Sequence, residues 1–189
     1  KQRQTGQLDT CQNLTITGLL KLLAKCSATL KDLNLAGTCI SGEGLESLHV
    51  LKLEKLYLGL CENLTNTGLL QLLAKCSAIL EDLNFGGTGI SGEGLESLPV
   101  LKQLGKLYLG YCKNLTNKGL LQLLAKCSAT LKDLNLAGTC ISGEGLESLP
   151  VLKQLEKLDL QACRNLTSTG LLKLLAKCSA TLKDLNLLR

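Results

Sequence analysis

Nearly the same stretch of about fifty residues recurs along this chain, and that repetition rules out a fold built around one private core. The string Cys-x-Asn-Leu-Thr places a cysteine at Cys11, Cys61, Cys112 and Cys163, at spacings of 50, 51 and 51 residues. Residues 80–130 and 131–181 differ at only 12 of 51 positions, and the one short spacing comes from a single-residue deletion beside His49. Each unit splits into a long half such as "LEKLYLGLCENLTNTGLLQLLAKCSAI" (53–79) and a short half such as "LEDLNFGGTGISGEGLESLPVLKQ" (80–103). A segment that small cannot bury its own leucines. Neighbours must stack and share a continuous core.

Both halves begin L-x-x-L-x-L-x-x-(C/T)-x-(L/I). Leu56 and Leu58 point one way and Lys55, Tyr57 and Gly59 the other, the period of a short strand. Cys61 or Thr88 then turns the chain, with a side chain able to serve backbone groups left unpaired there. Thr65 suits a helix N-cap, and Leu69, Leu72, Leu73 and Cys76 follow on one helical face. In the short half we expect Ser91 to cap a helix, Glu93 to sit in its first turn, and Leu95 and Leu98 to face inward. Aromatic residues are 2% of the chain, so the core is aliphatic.

That string resembles the leucine-rich-repeat signature. It implies an α/β solenoid, or horseshoe, with a parallel concave β-sheet, convex helices and alternating 27- and 24-residue repeats. We expect one domain over 1–189, about seven to eight repeats in roughly 30–35 Å of stacked strands. With no polar cap after "LKDLNLLR", we expect a piece of a longer array or an uncapped one, self-associating through its ends.

The long halves, Leu53 to Cys76 and again 104–127 and 155–178, resemble the cysteine-containing subtype found in F-box and ribonuclease-inhibitor-like arrays. The resemblance implies a protein-holding arc, typical of intracellular proteins. No F-box segment is present, so a ubiquitin-ligase role does not carry over. In this subtype the leucine of Asn-Leu-Thr is a core residue, which makes the glycosylation-like sequons at Asn63 and Asn114 a by-product of the repeat. Equivalent cysteines are two rungs apart, ~10 Å, beyond disulfide reach. Cys39 and Cys140 are matched by Gly89 in the middle unit, poor behaviour for half of a bridge. A reduced, cytoplasmic protein is favoured. A secreted, immune-type recognition protein and a designed array without a natural ligand remain as alternatives.

Other function classes find little support. The longest apolar runs are too short to insert in a membrane, and "KQRQTGQ" contains no apolar stretch of a signal peptide. Net charge is +5 with no basic run, which argues against nucleic acid. "GTGISG" (87–92) matches a dinucleotide fingerprint, but its sisters read "GTCISG" and the repeat is too short. One histidine and no C-x-x-C spacing argue against a metal site, a cofactor or catalysis.

What remains is the strand face. Its first column reads Thr5, Asp32, Lys55, Asp82, Lys106, Asp133, Lys157, Asp184, and opposite charges on adjacent rungs are expected to pair. The next reads Gln7, Asn34, Tyr57, Asn84, Tyr108, Asn135, Asp159, Asn186; the third includes Asp9, Gly59, Gly86, Gly110 and Gln161. Differences between units (Tyr108/Asp159, Gly110/Gln161, Tyr111/Ala162) gather here, whereas the helix string hardly changes. We expect a non-enzymatic recognition surface for a protein partner around Tyr57, Leu60, Tyr108 and Tyr111, framed by the Lys55/Asp82/Lys106/Asp133 ladder and including Asp159 and Gln161, with the glycines leaving room for contact.

Overall fold

The computed structural model describes residues 6–7, 15–44 and 47–188; Thr5, Asp9, Cys11 and the side chain of Gln7 lie outside the described residues. Eight strands form one sheet in chain order: β1 (Gly6–Gln7), β2 (Asp32–Asn34), β3 (Lys55–Tyr57), β4 (Asp82–Asn84), β5 (Lys106–Tyr108), β6 (Asp133–Asn135), β7 (Lys157–Asp159) and β8 (Asp184–Asn186). Every neighbour is parallel and the register follows the repeat: Lys55 aligns with Asp82, Asp82 with Lys106, and Lys106 with Asp133. Those partners are 27, 24 and 27 residues apart, the alternation expected. Asp32 and Lys55 are only 23 apart, where the deletion beside His49 removes one residue.

Four helices return the chain between strands: α1 (Ile16–Cys26), α2 (Asn66–Cys76), α3 (Asn117–Cys127) and α4 (Ser168–Leu175). Each starts on the sequon threonine. Thr15, Thr65, Thr116 and Thr167 accept from the amides of Gly18, Gly68, Gly119 and Gly170 at 3.1, 3.0, 2.9 and 2.9 Å. Leu69, Leu72, Leu73 and Cys76 are buried on α2, as the spacing predicts. Inward strand leucines (Leu33, Leu56, Leu83, Leu107, Leu134, Leu158) complete a single aliphatic core, with Phe85 its one aromatic member. Leu172, Leu187 and Leu188, in the last repeat, are exposed.

The short halves differ from expectation. No helix starts at Ser91; a single 3-10 turn runs Leu95–Ser97 behind a left-handed Gly94 with no side-chain cap. Ser91 Oγ instead accepts from the Glu93 amide at 3.3 Å and from the Asn66 side chain at 2.8 Å. Asn66 Oδ1 in turn accepts from the Ser91 and Gly92 amides. The serine thus clasps its loop to the start of the preceding helix. Twenty-four residues hold a strand and a loop, but no second full helix. Leu95 and Leu98 do face inward.

Two further devices lock the stack. The Leu101 amide donates to the Lys126 carbonyl at 2.9 Å, so a short-half loop satisfies an orphan carbonyl at the end of the next helix. Gly42 lies on Gly68, Gly92 on Gly119 and Gly143 on Gly170; a Cβ on any of them would fall within 2.5 Å of the partner's backbone or its neighbour's.

Candidate functional site

The turn after each short-half strand, β2, β4 and β6, is a hydrogen-bonded node between repeats. Thr38, Thr88 and Thr139 donate their hydroxyls to the carbonyls of Leu35, Phe85 and Leu136, each at 2.7 Å. The next repeat's Cys61, Cys112 and Cys163 donate their thiols to those same three carbonyls at 3.0, 3.2 and 3.1 Å. Burial pushes the Cys61 and Cys112 thiols above their ordinary range, the hydroxyl contacts opposing only in part. All nine described cysteines are free thiols, and of these Cys39 and Cys140 are exposed. The sequon asparagines are engaged too: Asn63, Asn114 and Asn165 donate their side-chain amides to the carbonyls of Cys39, Gly89 and Cys140 at 3.4, 3.3 and 3.3 Å.

On the strand face the tyrosines and aspartates combine differently from the expected ladder. Tyr57 donates its hydroxyl to Asp82 at 3.2 Å, and Tyr108 donates to Asp133 at 3.3 Å. Burial, then the adjacent carboxylates, raise both phenols to about 12. The charge column keeps its register, yet among the described residues the only ion pair within it is Lys55–Asp32 at 3.7 Å. The phenols hold Asp82 and Asp133 instead, because rigid neighbouring rings fix the carboxylates where flexible lysine stems do not. Asp82 is 8% exposed, and loss of hydration raises its carboxyl pKa against the pull of Tyr57, Lys106 and Lys55.

The second column is also occupied. Asn84 Oδ1 accepts from the Gly86 amide and Asn135 Oδ1 from the Ala137 amide, both at 2.9 Å. Asp159 does the same for Gln161 at 2.9 Å and accepts from Asn135 at 3.2 Å. Asp159 is therefore a rung-to-rung link, and Gln161 is half-buried beside it. Two of the three glycines are filled from their own sheet: a Cβ on Gly110 would meet Asn135 Oδ1 at 2.9 Å and one on Gly86 the Gly110 carbonyl at 2.8 Å, whereas one on Gly59 would make only ordinary contact at 3.5 Å.

Leu60 and Tyr111 are 66% and 58% exposed just after their strands, the largest apolar side chains offered there. Both have positive φ, 60° and 62°, as does Ala162 at 55°. Sequence reasoning missed this, although Gly37, Gly87 and Gly138 in the sister halves carried the signal. Leu60 Cδ2 lies 2.6 Å from where a Cβ on Gly87 would stand, and the Tyr111 ring covers Gly138 in the same way. Tyr57 and Tyr108 are half-buried, Lys55 half-exposed and Lys106 exposed. His49 sits exposed in its loop.

A family model described as leucine-rich repeat matches residues 26–48, 77–98 and 127–149. Those windows fall on three successive short halves, each from a helix end through strand, turn and loop. These three stretches are leucine-rich repeats. The long halves lie in the same parallel ladder, strand for strand with the short ones. Among solved structures, a chain in the crystal structure of the Rad7 and Elc1 complex in yeast is similar at 17% identity, over 91% of this chain and 70% of that one, with a TM-score of 0.35. So loose an overlap carries neither partner nor activity across. Among the described residues no helix of this leucine-rich-repeat chain is long and apolar enough to cross a membrane.

Proposed function

We propose that the chain is a non-enzymatic recognition scaffold that holds a protein partner on the concave strand face and the turns beside it. One observation carries the reading. Between near-identical units the substitutions Tyr108/Asp159, Gly110/Gln161, Tyr111/Ala162 and Lys113/Arg164 gather on a strand and its turn, while the buried helix faces keep their leucines. Solenoids present such faces as extended binding surfaces. Leu60 and Tyr111 supply exposed apolar area held in one backbone conformation, and Tyr57 and Tyr108 supply rings fixed by their aspartates. Preordered aromatic side chains lose little entropy on binding, which suits them as anchors.

A reducing, cytoplasmic setting fits the free thiols, whose donors serve the backbone nodes. Hydrogen–deuterium exchange on the chain with and without its captured partner tests the surface. Protection around 55–61 and 106–112 supports it; protection confined to α2 and α3 refutes it.

A further inference from the structure

The residue just before each strand forms a column of its own: Lys31, Glu54, Glu81, Gly105, Lys132, Glu156, Lys183. Lys31 pairs with Glu54, and Lys183 pairs with Glu156 at 3.0 Å. Gly105 stands where the sister units have Glu54 and Glu156, and it breaks the series. Glu81 and Lys132 on its two sides are left without an ion pair. The backbone does not require this glycine. A Cβ there would meet nothing nearer than the Glu81 carbonyl oxygen at 3.8 Å, and its φ is ordinary.

The gap opens directly beside Asp82. Tyr57 occupies Asp82 Oδ2, but Oδ1 is buried and has no hydrogen-bond partner. Lys55 and Lys106 flank it in register, yet neither pairs with it. A carboxylate oxygen withdrawn from water without a donor is costly, and the cost disappears when a donor arrives. Gly105, Glu81, Asp82, Lys106 and Lys132 line one cavity of about 590 Å³ on the sheet, ample for a side chain.

We propose that this notch receives the guanidinium of an arginine from the protein partner, with Asp82 Oδ1 and the Glu81 carboxylate as its acceptors. This rests on the concave-face reading above and gives that face a chemical preference. Arginine suits the notch better than lysine. Its planar fork donates to two acceptors at once, and it gives up water more readily than a compact ammonium does. Of the four lysines lining the cavity, Lys55 is paired with Asp32, and the Lys106, Lys132 and Lys157 heads ride on flexible stems in contact with solvent, where repulsion is screened and the stems can swing aside. An anionic guest would meet the buried Asp82 carboxylate instead.

The test is an amide-resolved NMR titration of the full chain with the blocked tripeptide Gly-Arg-Gly and its Gly-Lys-Gly and Gly-Glu-Gly counterparts. The arginine peptide is expected to shift the amides of Glu81, Asp82, Gly105 and Lys106 saturably, with the lysine peptide about fivefold weaker. Asp82→Asn should weaken arginine binding about tenfold. Gly105→Glu should also abolish it, because the new side chain fills the notch and pairs with Lys132. Simple charge attraction predicts the opposite, tighter binding by the more negative variant. That result, equal shifts from arginine and lysine, or shifts from the glutamate peptide alone would each overturn the proposal. Gly105→Glu restores the residue of two sister repeats, so it keeps the test decisive if Asp82→Asn proves unstable. The titration needs no partner, so its failure leaves the exchange footprint to judge the concave surface independently.

Discussion

Gly119→Ala should damage this protein more than any exposed substitution, and the size of the effect follows from the contact it breaks. A Cβ on Gly119 would stand 2.3 Å from the Ser91 carbonyl oxygen and 2.7 Å from Gly92 Cα. Both are backbone atoms, so no side chain can step aside. Restoring ordinary contact means parting the two segments by roughly 1 Å. Ser91 O accepts from the Thr116 amide at 3.1 Å and from the Thr116 hydroxyl at 3.2 Å, and parting them weakens both bonds. Each is worth about 1 kcal/mol, and overpacking adds about 1–3 kcal/mol. The better helix propensity of alanine returns about 1 kcal/mol. The net loss is about 2–4 kcal/mol, which in a chain of this size lowers Tm by about 5–15 °C. Gly89→Ala is the control, since its Cβ would meet nothing nearer than 3.8 Å and the sister repeats carry Cys39 and Cys140 there. Thermal melts followed by circular dichroism compare the two. If Gly119→Ala melted within about 2 °C of the parent, the interlocked-glycine account of repeat stacking would be wrong.

Ala162 has φ of 55° with only a methyl group to show for it. Ala162→Gly removes about 1–2 kcal/mol of strain against about 0.5–1 kcal/mol of added chain entropy, so Tm should rise, by up to about 6 °C. Thiol labelling of the native protein should modify Cys39 and Cys140 rapidly and the buried Cys61, Cys76, Cys112, Cys127 and Cys178 only on unfolding; fast labelling of Cys61 and Cys112 would contradict the node geometry. Alkaline stability follows from the raised values: Tyr57 and Tyr108 reach about 12 from 10, and Cys76 and Cys127 reach about 12 from 9. The folded form keeps these protons after the unfolded chain has released them. Stability is therefore full below pH 9 and is lost from pH 9 to about 12, which urea midpoints measured across that range will register.

The solenoid was legible because its determinants are local and repeated. Leucine spacing set the strand and helix faces, and Thr65 and its equivalents announced each helix start. The short half was misread at Ser91 because the sequence shows a capping residue but not which helix it serves; Asn66, 25 residues earlier, claims it. The charge column was misread for a related reason. Register put Lys55 beside Asp82, yet sequence gives no weight to a neighbouring phenol that holds the carboxylate more rigidly than a lysine can. Gly86 and Gly110 looked like open space and are close-packed against the Gly110 carbonyl and Asn135. The left-handed turn at Leu60 and Tyr111 was written in the sister glycines, visible only when long and short halves are aligned at the residue before the turn cysteine or threonine.

In the proposed complex a protein partner is held on the strand face by Tyr108 and Tyr111. The direct measurement is partner affinity, by calorimetry, for the Tyr108→Ala/Tyr111→Ala double variant beside a Lys118→Ala variant, whose side chain is exposed on α3 and not on the sheet. The double variant should lose more than about 2 kcal/mol of binding, a thirtyfold or so weakening, while still unfolding cooperatively above the assay temperature; Lys118→Ala should bind as the parent does. Full affinity in the double variant together with loss in Lys118→Ala would contradict the account.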